Sequence, residues 1–269
     1  MPPAVTQQPC YDLGIAGAKA LVCGSSSGLG LACAVSLARA GVDIVINGRD
    51  RQRLDQAARQ VADATGAAVS GIVADVMTAE GRAAIGDRLG EIDILVTNAQ
   101  GPPAGTIEDW DEAHWLTATR QNMVGPILLI RAALPGMRSR SWGRIINITS
   151  GAVKAPLPLL GLSNGARAGL TGFVAGLARE VARDGITINN LLPGNFATDR
   201  LKSYVAALAE QQGKAFDTLW EEMQRQNPAG RFGDPAEFGD VCAFIASRQA
   251  AYLNAQNILL DGGAYPGVF

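Results

Sequence analysis

The chain carries one histidine, His114, in 269 residues, and its four cysteines, Cys10, Cys23, Cys33 and Cys242, fall at no metal-binding or redox spacing. That scarcity argues against a zinc centre or a dithiol exchange site. We expect no metal, and buried free thiols of the kind that suit a reducing, cytoplasmic setting. Excess charge is missing too. Against 25 acidic residues stand 23 basic ones, and a formal net charge of −2 argues against nucleic acid or a membrane surface as a general partner. No apolar run reaches membrane-spanning length. The N-terminus lacks the basic and apolar regions of a secretory signal, and residues 1–12 read as an extension ahead of the domain.

What is present is an alternation of patterns. Apolar runs at 20–22, 42–46, 69–73, 92–96, 144–148, 186–191 and 257–260 read as seven strands. Helical patterns separate them, such as Leu54, Ala57, Ala58 and Val61 on one face, a long helix over 111–137 and another over 161–183. Mostly continuous apolar strands between helices predict a parallel sheet covered on both faces, with right-handed crossovers. At 269 residues and 48% hydrophobic, the chain suffices for one doubly wound α/β domain, and no repeat or linker divides it.

The first strand runs into Cys23-Gly24-Ser25-Ser26-Ser27-Gly28-Leu29-Gly30, and a helix of small apolar residues follows. Gly24 permits a tight turn, and Gly28 and Gly30 let a ligand and the neighbouring strand approach the backbone. The helix directs its free N–H groups and positive dipole end at the turn, which suits a pyrophosphate. A G-x-x-x-G-x-G spacing in this strand–turn–helix context points to a dinucleotide. The second strand ends at Asn47-Gly48-Arg49, where an acidic residue would bond the ribose hydroxyls of NAD. A guanidinium there suits a 2′-phosphate, with Ser25 and Ser26 as hydroxyl donors, so NADP(H) is favoured over NAD(H). Asp50, one position later, reads as a helix cap.

Further landmarks stand at the ends of the later strands. Thr97-Asn98-Ala99-Gln100 follows the fourth, Asn122 lies within the long helix, and Asn147-Ile148-Thr149-Ser150-Gly151 ends the fifth. Leu192-Pro193-Gly194-Asn195-Phe196-Ala197-Thr198 ends the sixth, and Asp261-Gly262-Gly263 the seventh. In this order they resemble the short-chain dehydrogenase/reductase family, in its 3-oxoacyl-carrier-protein-reductase-like branch. The likeness covers nearly the whole chain after the first dozen residues. It implies a seven-stranded Rossmann fold, usually tetrameric, acting on a small-molecule carbonyl or alcohol. It places Gly24, Gly28, Leu29 and Gly30 at the glycine motif, Asp75 and Val76 at the adenine, and Asn98 and Ala99 beside the cofactor. Pro193, Gly194, Phe196 and Thr198 fall at its carboxamide end. Thr97 stands where the family has an asparagine whose amide braces the central strand. Gln100 puts bulk where the family leaves room near the nicotinamide ribose.

The catalytic motif departs from that pattern. Ser150 and Asn122 match the family's serine and asparagine, but its Tyr-x-x-x-Lys reads Ser163-Asn164-Gly165-Ala166-Arg167, and no tyrosine lies between Tyr11 and Tyr204. This is similar to a small divergent subgroup with an imperfect cofactor motif and tetrad. A serine hydroxyl is shorter than a phenol and far less acidic than its pKa of about 10. Arg167 keeps a positive charge, suited to ribose hydroxyls, but stays protonated and cannot relay a proton. Ser150 is left to polarise a carbonyl, with Lys154 a turn later in the same loop. We expect an NAD(P)H-dependent oxidoreductase with an atypical site. A cofactor-binding protein without redox turnover and a non-redox lyase or isomerase remain alternatives.

Residues 199–227 predict a small helical lid. Leu201, Tyr204, Val205 and Leu208 recur at helical spacing, and so do Phe216, Leu219, Trp220 and Met223, which points to an apolar or bulky substrate. Small and apolar residues between Ala166 and Leu177 predict close helix packing between subunits, hence a homo-oligomer and by preference a tetramer.

Overall fold

The computed structural model describes residues 12–86 and 88–268, so Cys10 and all of the N-terminal extension except Asp12 lie outside the described residues. Seven strands form one parallel sheet in the order β3-β2-β1-β4-β5-β6-β7. In chain order the elements are β1 (Lys19–Val22), α1 (Gly28–Arg39), β2 (Asp43–Gly48), α2 (Arg51–Thr65) and β3 (Val69–Val73). Next come α3 (Ala79–Ile85), α4 (Arg88–Glu91), β4 (Ile94–Thr97), α5 (Glu112–Thr119), α6 (Gly125–Ser139) and β5 (Gly143–Ile148). The rest are α7 (Gly161–Val181), β6 (Ile186–Pro193), α8 (Asp199–Gln212), α9 (Phe216–Gln226), α10 (Pro235–Ala246) and β7 (Asn257–Leu260). This is the doubly wound α/β architecture that the alternation predicts.

Alternation along the buried strands divides the core in two. Ala20, Val22, Ile94, Val96, Ile146 and Ile148 face α1, α2 and α10, where Leu37, Leu54 and Phe238 meet them. Leu21, Leu95, Ile145, Ile186 and Ile188 face the other layer, where Leu129 and Met137 of α6 and Leu170 and Val174 of α7 pack. Successive strands are added outward in one direction from β1 to β3 and in the other from β4 to β7, with β1 and β4 side by side. The crevice at their carboxyl ends is where such sheets bind ligands.

Two expectations are corrected here. The helix over 111–137 is two α-helices, α5 and α6, joined by a single π turn at Arg120–Val124. Pro126 explains the widening. It has no N–H for the Asn122 carbonyl, and the Gly125 N–H bonds Arg120 O, five residues back. The strand brace expected to disappear with Thr97 persists. Thr97 Oγ1 donates to Asn147 Oδ1 at 2.6 Å, Asn147 Nδ2 to Asn190 Oδ1 at 3.0 Å, and Asn190 Nδ2 to Asn257 Oδ1 at 2.8 Å. A hydroxyl replaces the amide, and a buried polar ladder joins β4, β5, β6 and β7.

The segment 199–227 does form two helices, but their apolar stripe has another role. Val205, Ala209 and Leu219 make a small core of their own with Leu201, Leu208, Phe216, Trp220 and Met223. Phe216 stacks on Trp220, which meets Phe232 edge-on, while Tyr204 stays exposed. The stripe packs α8 on α9, so it carries no information about an apolar substrate.

Candidate cofactor cleft and active site

The glycine turn after β1 is built as a cradle. Gly24 and Gly28 adopt φ of +56° and +58°, in the left-handed region that favours glycine. A side-chain carbon on Gly30 would collide with the Gly24 carbonyl oxygen. Asn98, at the end of β4, ties the turn down by donating from Nδ2 to Gly24 O at 3.1 Å. Helix α1 opens with Ser27, whose side chain makes no capping bond, and its first turn carries no acid. Its first N–H groups are left for an anion. Thr198 closes the cradle from the other side, its methyl 3.7 Å from where a Gly28 side chain would begin, while its hydroxyl caps α8. Leu29 packs on the core beneath. These residues fit a dinucleotide.

Some predicted contacts need correction. Ser25 is fully buried. Its hydroxyl donates to Val22 O at 2.7 Å and accepts from Asn47 N at 3.0 Å, so it shapes the turn and is spent before any 2′-phosphate arrives. Ser26 is half-buried against Gly48, at the end of β2. Phe196 is not a cleft residue by its ring, which packs edge-on against Phe238 at 5.3 Å and covers Gly233. Pro193 ends β6, and Gly194 N bonds Leu260 O at 2.8 Å. Asp75 holds its own turn through Met77 N at 3.0 Å, and Val76 is buried.

Arg49 is exposed and forms no ion pair among the described residues; Nη2 donates to Gln100 Oε1 at 2.9 Å. Asp50 caps α2 through Arg53 N at 2.8 Å, as expected. Arg53 was missed by sequence reasoning. Its Nη2 reaches Ser27 Oγ at 3.3 Å, and its place one helical turn after Arg49 was the available signal.

Of the five candidate catalytic residues, Ser150 opens the loop after β5 and Arg167 bonds the last residue of that strand. Ser150 Oγ accepts from Ala152 N at 3.1 Å. Ser163 and Arg167, one turn apart on α7, are both buried, and Arg167 Nε donates to Ser163 Oγ at 3.2 Å. Arg167 also donates from Nη1 to Ile148 O at 3.0 Å and from Nη2 to Ala99 O at 3.3 Å. Burial, and secondarily the charge of Arg200, pushes the guanidinium down to about 10, so it stays charged at neutral pH. Asn122, in the π turn, is buried with Oδ1 unpartnered among the described residues.

Two tryptophans that sequence reasoning did not single out pack on the face of α7 turned away from Ser163 and Arg167. Trp110 packs on Gly161 and Trp115 on Gly165, and the two rings meet edge-on at 6.0 Å. Lys154 does not join Ser150; its ammonium lies 5.8 Å above the Tyr265 ring. His114 caps α5 with Asp111, Nδ1 to Oδ1 at 2.6 Å, away from this chemistry. Cys23, Cys33 and Cys242 are free and buried, and burial pushes the Cys23 thiol up to about 12. No metal-binding group of residues occurs among the described residues, and none of their helices is long and apolar enough to cross a membrane.

Comparison with known proteins agrees with this fold. A family model described as enoyl-(acyl carrier protein) reductase matches residues 24–265. The chain is 34% identical over 259 residues to 3-oxoacyl-(acyl-carrier-protein) reductase of Vibrio cholerae, spanning 94% of this chain and 99% of that protein. It is 31% identical over 253 residues to gluconate 5-dehydrogenase of Gluconobacter oxydans, spanning 93% and 95%. L-sorbose reductase from Gluconobacter frateurii, solved with NADPH and L-sorbose, superposes with a TM-score of 0.91 at 32% identity, over 96% of this chain and 100% of that one.

Proposed function

Because the chain belongs to the short-chain dehydrogenase/reductase family, and is an NAD(P)-dependent oxidoreductase of the carbonyl/alcohol class, we propose that it reduces a small-molecule ketone with NADPH through an altered, slow active site. The observation that carries the proposal is the buried Ser163–Arg167 pair, bonded to Ile148 O two residues before Ser150, where the family resemblance calls for a tyrosine and a lysine. NADPH, when bound, supplies the hydride. Arg49, with Ser26 beside it, is placed for the 2′-phosphate, which supports NADP(H) over NAD(H). Gly24, Gly28, Gly30 and the N-terminus of α1 receive the pyrophosphate, and Asn98 keeps the turn in place.

Ser150 and Ser163 each accept one bond from the protein and keep their own hydrogen to donate. Ser150 is placed to polarise the substrate carbonyl. Arg167 favours negative charge developing on that oxygen but gives up no proton at neutral pH, and Lys154 is turned to Tyr265, so the proton comes from a water held by the serines or from the substrate. Three buried free thiols support action in the cytoplasm. Exposed Leu116 on α5, Val124 in the π turn and Phe173 on α7 support a homotetramer. The test is NADPH consumption with a panel of ketones by wild type and Ser150→Ala. We expect the substitution to slow wild-type turnover by about tenfold or more, as for loss of a hydrogen-bond donor to a developing oxyanion. Equal rates would remove Ser150 from the chemistry.

A further inference from the structure

Arg200 is the second residue of the lid helix α8, and neither the cofactor cradle nor the serine pair employs it. Its guanidinium lies against the main chain of Gly101. A side-chain carbon there would stand 2.8 Å from Nη2 and 3.3 Å from Nη1. Two residues earlier on the same loop, Arg167 Nη2 holds Ala99 O. Two guanidinium groups thus grip one three-residue segment from either end. Among the described residues neither has an ion-pair partner, and Asp199, next to Arg200, pairs with Lys202 instead.

Like charges placed this way repel, and the charge of Arg200 is one reason why the Arg167 guanidinium sits below its ordinary value. An anion between them would relieve that repulsion and accept charge-assisted hydrogen bonds from both. Arg167 spends three of its five donors on Ser163, Ile148 and Ala99, so two remain. Its Nη1 bond to the Ile148 carbonyl fixes the guanidinium two residues ahead of Ser150 along the chain. The arginines of the cofactor end are occupied elsewhere, Arg49 with Gln100 and Arg53 with Ser27.

We propose that Arg200 and Arg167 bind the carboxylate of an acidic substrate, an oxo acid or hydroxy acid whose carbonyl or alcohol carbon then lies beside Ser150. The proposal rests on the oxidoreductase reading above for the reacting carbon, and on the arginine pair alone for the acid. The lid helix thereby contributes a charged anchor, while its apolar face packs on α9.

The experiment is calorimetric binding of 3-oxohexanoate and of its neutral methyl ester to the full chain saturated with NADP⁺, for wild type and Arg200→Gln, with NADPH titrated into both proteins separately. We expect wild type to bind the acid about tenfold or more tighter than the ester, the value of one charge-assisted contact. Arg200→Gln should bring the acid to the level of the ester and leave ester and NADPH affinities within about twofold, which also shows that the variant is folded. Equal wild-type affinity for acid and ester would overturn the proposal. So would a loss of NADPH affinity in Arg200→Gln matching the loss for the acid, because the anion would then be the phosphate of the dinucleotide. NADPH consumption is read in parallel. Its complete absence at high enzyme concentration, below even the slow rate proposed above, with acid binding intact would fail the redox reading and support the carboxylate site.

Discussion

Arg49 stands at the end of β2 with no carboxylate to neutralise it among the described residues, and its one hydrogen bond goes to the neutral Gln100. Such an arginine loses little when it turns to a phosphate. Arg49→Ala should weaken NADPH binding by about 1.5–3 kcal/mol, roughly ten- to hundredfold in Kd, and leave NADH unchanged. Calorimetry on both proteins checks it, and equal wild-type affinity for the two cofactors would contradict the role. At this scale the sequence was informative about residue type and poor about orientation. Arg49 was legible from its place at a strand end, and Ser163 and Arg167 through the family resemblance. The inward hydroxyl of Ser25 and the buried ring of Phe196 were not, because both are decided by neighbours far along the chain, Asn47 and Phe238. Arg200 was invisible for the same reason, since nothing local says that it reaches Gly101.

Helix α10 shows how one cap supports the cleft from a distance. Glu237 accepts from Arg231 at 2.6 and 2.8 Å and from Asp234 N at 2.8 Å, while Asp234 caps the same helix. These bonds fix the loop whose Gly233 pairs with Phe196, just before Thr198. Arg231 holds the Glu237 carboxyl down to about 2, below its ordinary 4.5. Because the folded value is the lower one, the stabilisation is complete above pH 4.5 and is lost as pH falls through about 2. Glu237→Gln should therefore lower Tm at neutral pH, and the gap to wild type should close across that acid window. A gap that persists unchanged to pH 2 would contradict it. Element existence was legible from hydrophobic period, since all seven strands fall where apolar runs predicted them. The π turn was not, because a proline near the start of α6 and a widened register look like continuous helix by period alone.

Across the whole molecule, the seven strands pair in parallel, and the polar ladder from Thr97 to Asn257 ties β4 to β7. The ladder was hidden in the sequence, because its four members are separated by tens of residues and meet only through strand pairing. The exposed apolar residues Leu116, Val124 and Phe173 call for a partner surface, and sedimentation at micromolar concentration should show a tetramer; a monomer would refute that. We propose that this NAD(P)-dependent fold works without the family's tyrosine. Arg167 is bonded to Ser163 and anchored on the Ile148 and Ala99 carbonyls, so a phenol placed at 163 meets a guanidinium already committed elsewhere. The direct measurement is the steady-state rate of NADPH oxidation on 3-oxoacyl substrates by wild type and Ser163→Tyr. The account predicts wild-type turnover about a hundred- to ten-thousandfold below ordinary reductase rates, with little recovery in Ser163→Tyr. Ordinary turnover in the wild type, or full recovery in the variant, would contradict it.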